Sequence, residues 1–227
     1  MSFSFLEHAV QISSFKSEVL QYTAKKESLK NMARKKNPLE IKFYQKTALE
    51  LAPSLLGCLL VKETDEGIAS GYIVETEAYM GAEDRAAHSF NNRRTKRTEI
   101  MFGEAGRVYT YVMHTHTLMN VVAATTDIPQ AVLIRAIEPH EGQFLMEQRR
   151  PGRRPREWTN GPGKLTKAIG VTMNDYGRLI TEQPLYIEKG YTPEEISTGP
   201  RIGIENSGEA RDYPWRFWVT GNRYVSR

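Results

Sequence analysis

The sequence has one cysteine, Cys58. A lone thiol excludes an intrachain disulfide framework and a Cys-based zinc site, and it suits a reducing compartment. No apolar run approaches the roughly 20 residues of a membrane-spanning helix. The N-terminus lacks a signal-peptide pattern, because Glu7, His8 and Gln11 interrupt its apolar positions. Internal repeats and low-complexity tracts are missing too. These absences predict a protein of the cytoplasm, or of the nucleoid in a bacterium, with no membrane partner.

The 227 residues suit one sizeable domain and are few for two. Lys and Arg number 31 against 27 Asp and Glu, a net charge of +4. The excess is unevenly placed. Basic residues bunch at Arg93, Arg94, Lys96 and Arg97, and again at Arg149, Arg150, Arg153, Arg154 and Arg156. Such clusters suit a polyanion, since each cation that neutralises a phosphate releases a condensed counterion. They equally suit solvated loops. Against that basic background, IVETEAYMGAEDRAAHS (73–89) gathers Glu75, Glu77, Glu83 and Asp84 beside Tyr79 and His88.

Residues 1–37 differ from the rest. Phe15, Val19, Leu20 and Tyr22 can line one side of a short helix, a Lys-rich run follows, and Pro38 closes the segment. The expectation is an N-terminal appendage, helical or disordered, within which Met32 offers an alternative start. Residues 38–227 are expected to form the folded domain. ALELAPSLLGCLLVKE predicts a helix running into a strand, with Gly57 at the changeover. GYIVETEAY, RVYTYVM, QAVLIRAIEP, QPLYIEKG and WRFWVTG each predict a strand bounded by turn residues, with helices around 140–150 and 163–170. The mixture predicts an α+β fold with a largely antiparallel sheet.

Strand alternation puts Glu75, Glu77 and Tyr79 on one face and Tyr72, Val74, Thr76 and Ala78 on the other. Taken alone, the acidic face also suits solvent. Tyr109 and Tyr111 form a second aromatic platform. Arg135 stands in an otherwise apolar strand, where an unpaired guanidinium costs several kcal/mol, so it calls for a carboxylate from the acidic strand. Carboxylate, guanidinium and aromatic faces describe either a pocket for a planar ring beside an activated water, or a structural ion pair among core tyrosines.

VETEAYMGAEDRAAHS, the paired tyrosines, LIRAIEP, NGPGKL and RIGIENSGEARDYPWRFWV resemble the monofunctional alkyladenine (3-methyladenine) DNA glycosylases, collinearly from about Ile41 to Ser226. The resemblance implies that 38–227 is a single compact catalytic domain with a curved, largely antiparallel sheet, flanking helices and a protruding β-hairpin that meets DNA. It also implies hydrolysis of the bond between a damaged purine and deoxyribose in double-stranded DNA, by a monomer with no cofactor and no catalytic metal. It matches Glu77 to the carboxylate that activates water and Arg135 to the arginine that holds carboxylate and water. Tyr79, His88 and Tyr111 match the residues that sandwich the extruded base, and Asn120 matches a pocket asparagine that disfavours the guanine amino group. Arg93, Arg94, Lys96, Arg97, Gly161, Gly163 and Lys164 are then expected on the DNA backbone.

One departure stands out. The family fills the gap left by the base with a bulky hairpin-tip side chain, usually Tyr. Here VYTYVMHTHTLMN is one residue shorter and has no Tyr at the tip, which leaves Met113 or His114 as the wedge. GPGKLT is no phosphate loop, because Trp158 and Leu165 stand where Gly and Ser or Thr are needed. HTH (114–116) is too commonplace to mark a metal, and a lysine lyase would need an amine beside the sugar. Two other functions compete: a metal-dependent nuclease, and a catalytically silent protein that binds damaged DNA. Glu83 and Asp84 are expected to shape the turn leading to His88.

Overall fold

The computed structural model describes residues 36–226, so the appendage expected over 1–37, apart from its last two residues, and the start at Met32 lie outside the described residues. The strands are β1 (Leu59–Thr64), β2 (Gly67–Tyr79), β3 (Val108–Met113), β4 (His116–Ala123), β5 (Gln130–Glu141), β6 (Thr181–Glu182), β7 (Leu185–Glu188), β8 (Ile196–Gly199) and β9 (Arg216–Val219). They form one curled sheet in the order β3-β4-β5-β2-β1-β7-β6, with β9 beside β2 and β8 beside β9. The ladders are antiparallel, so the α+β class follows as expected from the short strand-like runs.

β2 organises the sheet because its 13 residues outrun any one partner. β5 lies along one edge. On the other edge β1 pairs with residues 67–72 and β9 with residues 75–77. The acidic stretch is therefore hydrogen-bonded on both sides.

The helices are α1 (Ile41–Tyr44), α2 (Ala48–Ser54), α3 (Gln143–Arg149) and α4 (Pro162–Ile169). α2 starts at a reciprocal cap: the Thr47 side chain accepts from the Glu50 amide, and the Glu50 carboxylate accepts from the Thr47 amide. α2 and α4 bury Leu51, Leu165 and Ile169 against Ile73, Met119 and Ile134 of the sheet. At the changeover into β1, Gly57 has φ +81°, and a Cβ there would meet the Tyr191 carbonyl oxygen.

One expectation about faces fails. Tyr72 and Val74 do not share a face with Thr76 and Ala78. The β2–β5 register shifts twice between Ile73 and Thr76, leaving Val74 and then Arg135 without a direct partner. These are β-bulges, which reverse the alternation. Ile73 and Ala78 consequently join the main core, while Val74 packs with Ala136 and Tyr224, and Tyr72 packs with Leu59, Val61 and Tyr186.

Gly57→Ala combines a left-handed backbone with a clash against main chain. It is expected to destabilise the protein by roughly 2–4 kcal/mol in urea unfolding, while a surface substitution such as Arg156→Ala changes little.

Candidate active site

The Arg135 guanidinium on β5 spans two carboxylates of β2. Arg135 Nε donates to Glu75 Oε1 at 3.0 Å, and Nη1 lies 3.1 Å from Glu77 Oε1. Both acids are fully buried and Arg135 nearly so. Two buried like charges two residues apart persist only with such a partner. Removing one partner from a buried ion pair costs about 3–5 kcal/mol.

Glu75 is held from four directions. Besides Arg135, it accepts from Arg216 Nη1 at 3.2 Å, from the Ser226 amide at 2.6 Å and from the Ser226 hydroxyl at 2.7 Å. Ser226 Oγ in turn accepts from Arg135 Nη2 at 3.3 Å. The C-terminal end thereby braces the arginine from behind.

Glu77 faces the aromatic side. Its Oε1 accepts from the Ile202 amide at 2.8 Å, and its Oε2 accepts from the Tyr79 hydroxyl at 2.8 Å. Burial pushes its carboxyl above the ordinary 4.5, opposed by Arg135 and the two hydrogen bonds and assisted by the Glu75 charge. A raised acid is a stronger base once ionised, which suits proton abstraction.

Beside this group lies a cavity of about 360 Å³ lined by Tyr79, His88, Tyr109, Tyr111, Asn120 and Arg135, with further apolar side chains and residues 202–207. Glu77 itself sits behind that lining, screened by Tyr79 and Ile202. The Tyr109 and Tyr111 rings stack 5.5 Å apart, and His88 meets Tyr111 edge-on at 4.7 Å. Asn120 pairs with Tyr109 across the β3–β4 ladder and donates to its carbonyl at 3.1 Å, which fixes the amide. The structure thus brings together Glu77, Arg135, Tyr79, His88, Tyr111 and Asn120.

Met113 lines the cavity mouth, and His114 follows in the β3–β4 connection with φ +46°. Both are exposed. α4 supports this hairpin: Thr166 Oγ1 donates to the Thr117 carbonyl at 2.6 Å, and a Cβ on Gly163 would lie 2.6 Å from His116 Cβ. Close approach to β4 therefore accounts for Gly163. Lys164 Nζ donates to Asn160 Oδ1 at 3.0 Å, and Gly161 caps α4.

Of the first basic cluster, Arg94 is engaged within the fold, donating to Glu99 and Asp127 and lying over the Phe102 ring. Arg93, Lys96 and Arg97 are exposed and make no ion pair among the described residues. In the second cluster Arg149 is tied to Glu66 and Thr64, whereas Arg153, Arg154 and Arg156 are exposed. Among the described residues no three His, Cys, Asp or Glu side chains gather to hold a metal.

Sequence reasoning passed over Arg201. Its guanidinium pairs with Asp84, donates to the Ala78 and Ala210 carbonyls, and lies over the Tyr79 and Trp215 rings at 4.7 and 4.9 Å. Asp84 also accepts from the Met80 and Ala86 amides, which fixes the turn toward His88. The only signal was a cation opening RIGIENSGEA, with no hint of its partner more than a hundred residues earlier.

Comparison with known proteins supplies the class: the chain is a DNA glycosylase. It belongs to the methylpurine-DNA glycosylase family, whose model matches residues 42–223, and that family serves base excision repair of alkylated purines. The chain is 90% identical over 196 residues to a protein of Bacillus subtilis (strain 168), covering 86% of this chain and 100% of that one. It is 55% identical over 190 residues to a protein of Oceanobacillus iheyensis, covering 84% and 96%. A relative from Listeria monocytogenes serotype 4a is 51% identical over 185 residues, covering 81% and 89%. All three are named, provisionally, 3-methyladenine DNA glycosylases.

Burial and the neighbouring Arg97 and Arg93 charges lower the His88 pKa from 6.5 to about 4. Its Nδ1 lies 2.7 Å from the Tyr109 hydroxyl. The ring is therefore neutral at physiological pH. Ring ¹⁵N NMR is expected to show no protonation of His88 between pH 8 and about 5, and a midpoint near the ordinary value would contradict this environment.

Proposed function

We propose that this enzyme turns a damaged purine out of duplex DNA into the aromatic cavity and hydrolyses the N-glycosidic bond with a water deprotonated by Glu77. The observation that carries the reading is the Glu77 carboxylate, ionically paired with Arg135 and hydrogen-bonded to the ring that walls the cavity. Attack on the bond develops positive charge on the sugar, as in glycoside hydrolysis. A desolvated carboxylate stabilises that charge and takes the proton from water. A water reaching Oε2 shares it with, or replaces, the Tyr79 hydroxyl. The product is an abasic site with an uncut strand, since water and not lysine is the nucleophile.

The base stacks among Tyr79, His88 and Tyr111, each such contact contributing about 1–3 kcal/mol. Asn120 disfavours the guanine amino group. Arg93, Lys96 and Arg97, with Arg94 beside them, meet phosphates, and the start of α4 at Gly161, Gly163 and Lys164 offers amides and a cation to another. A base inside an intact stack is out of reach, so it must be flipped. Met113 or His114 then fills the gap from the hairpin tip.

Glu77→Gln is expected to lower single-turnover base release by at least about 10²-fold while duplex binding persists. The working form is the carboxylate, and burial raises its pKa. Activity should accordingly fall as pH drops through a value above the ordinary 4.5. Strand cutting that a chelator abolishes would favour a metal-dependent nuclease, and binding without base release would favour a silent damage-binding protein.

Either Met113→Ala or His114→Ala should depress excision from duplex DNA several-fold more than from single strands, where no gap needs filling. Equal losses on both substrates from both variants would place the wedge elsewhere.

A further inference from the structure

The cavity wall formed by residues 202–207 carries a charge that the mechanism does not use. Glu205 lines the cavity with the base-stacking residues and is exposed at its mouth. It makes no ion pair or hydrogen bond among the described residues. The buried charges of the site are matched, Arg135 and Arg216 against Glu75 and Glu77, and Arg201 against Asp84, while the exposed Arg93 and Arg97 neighbour His88. Glu205 is thus an unpaired negative charge on the wall at 202–207, beside the cavity proposed to seat a base.

Its position is fixed by the fold. The segment begins at Ile202, whose amide is bound to Glu77, and Arg201 just before it also bonds the Ala210 carbonyl beyond it. A turn closes inside, with the Ser207 amide donating to the Ile204 carbonyl at 3.0 Å. One buried guanidinium therefore cinches both ends of the loop that presents Glu205.

A carboxylate at the surface of a DNA-binding protein repels phosphates, so leaving it unpaired there weakens binding unless a positive group comes to meet it. Purines alkylated at N3 or N7 carry such a charge, whereas deaminated purines such as hypoxanthine do not. We propose that Glu205 is a specificity-determining residue that favours cationic over neutral damaged purines by electrostatic attraction at the cavity mouth. This rests on the glycosylase reading of the cavity.

The test is single-turnover release of 7-methylguanine and of hypoxanthine from otherwise identical duplexes, by the full chain and by Glu205→Gln, with spontaneous loss subtracted. Glu205→Gln should slow release of 7-methylguanine by about 3- to 50-fold, the range for one charge at roughly 7 Å between water and an effective dielectric of about 20. Release of hypoxanthine should stay within about twofold, and added salt should narrow the wild-type preference. Equal changes for both bases, in either direction, or no change in either, would overturn the proposal. Failure of the glycosylase reading looks different: the unaltered chain would release neither base, or Glu77→Gln would remain active.

Discussion

The site depends on a guanidinium placed between two buried acids. Without Arg135, Glu75 and Glu77 would be like charges in a region from which water is excluded, and burial would drive at least one of them to hold its proton. With Arg135 bound to both, Glu77 can ionise while still being raised by desolvation. Strand alternation already gives Arg135 the face of Leu133, which pairs with Glu77, so the arginine reaches both carboxylates from the neighbouring strand.

Glu75 is best understood through what it holds. It accepts from Arg135, Arg216 and both donors of Ser226, so its carboxylate is satisfied without touching the cavity. Every one of those bonds restricts where Arg135 can point, and Arg135 in turn restricts Glu77. Arg201 does the corresponding work on the cavity side, backing the Tyr79 ring while it pairs with Asp84. The two guanidinium centres divide the work: one orients the carboxylate, the other backs the aromatic wall and ties down the loop at 202–207.

Much of this was legible in the sequence, for identifiable reasons. Period-two alternation and turn residues mark the strands, and Arg135 in LIRAIEP advertises a need for an acidic partner because an unpaired buried guanidinium is so costly. The acids and tyrosines of VETEAY are close in sequence, so a single strand already brings them together. What stayed hidden depends on long-range geometry. The bulges have no residue signature at Val74 or Arg135, and they overturned the facial assignment of Tyr72 and Val74. The Asp84–Arg201 pair and the Ser226–Glu75 bonds join residues more than a hundred positions apart. Glu205 looks like any loop acid until the loop is closed around the cavity.

The gathering of acids in a basic chain follows from the distance dependence of screening. Arg93, Lys96 and Arg97 are exposed, where their field is effective over roughly a Debye length of 8–10 Å and is set by salt. That is the range needed to attract a phosphate backbone, and it requires many cations but no fixed geometry. In the proposed reaction Glu77 acts on one bond and needs the reverse: a fixed position and little water between the charge and its target. Buried charge is costly, so such a group must be well paired, as Glu77 is with Arg135. On the proposed reading the same chain is positive toward a polymer and negative toward a sugar without the two fields cancelling, because the outer one is screened and the inner one is confined.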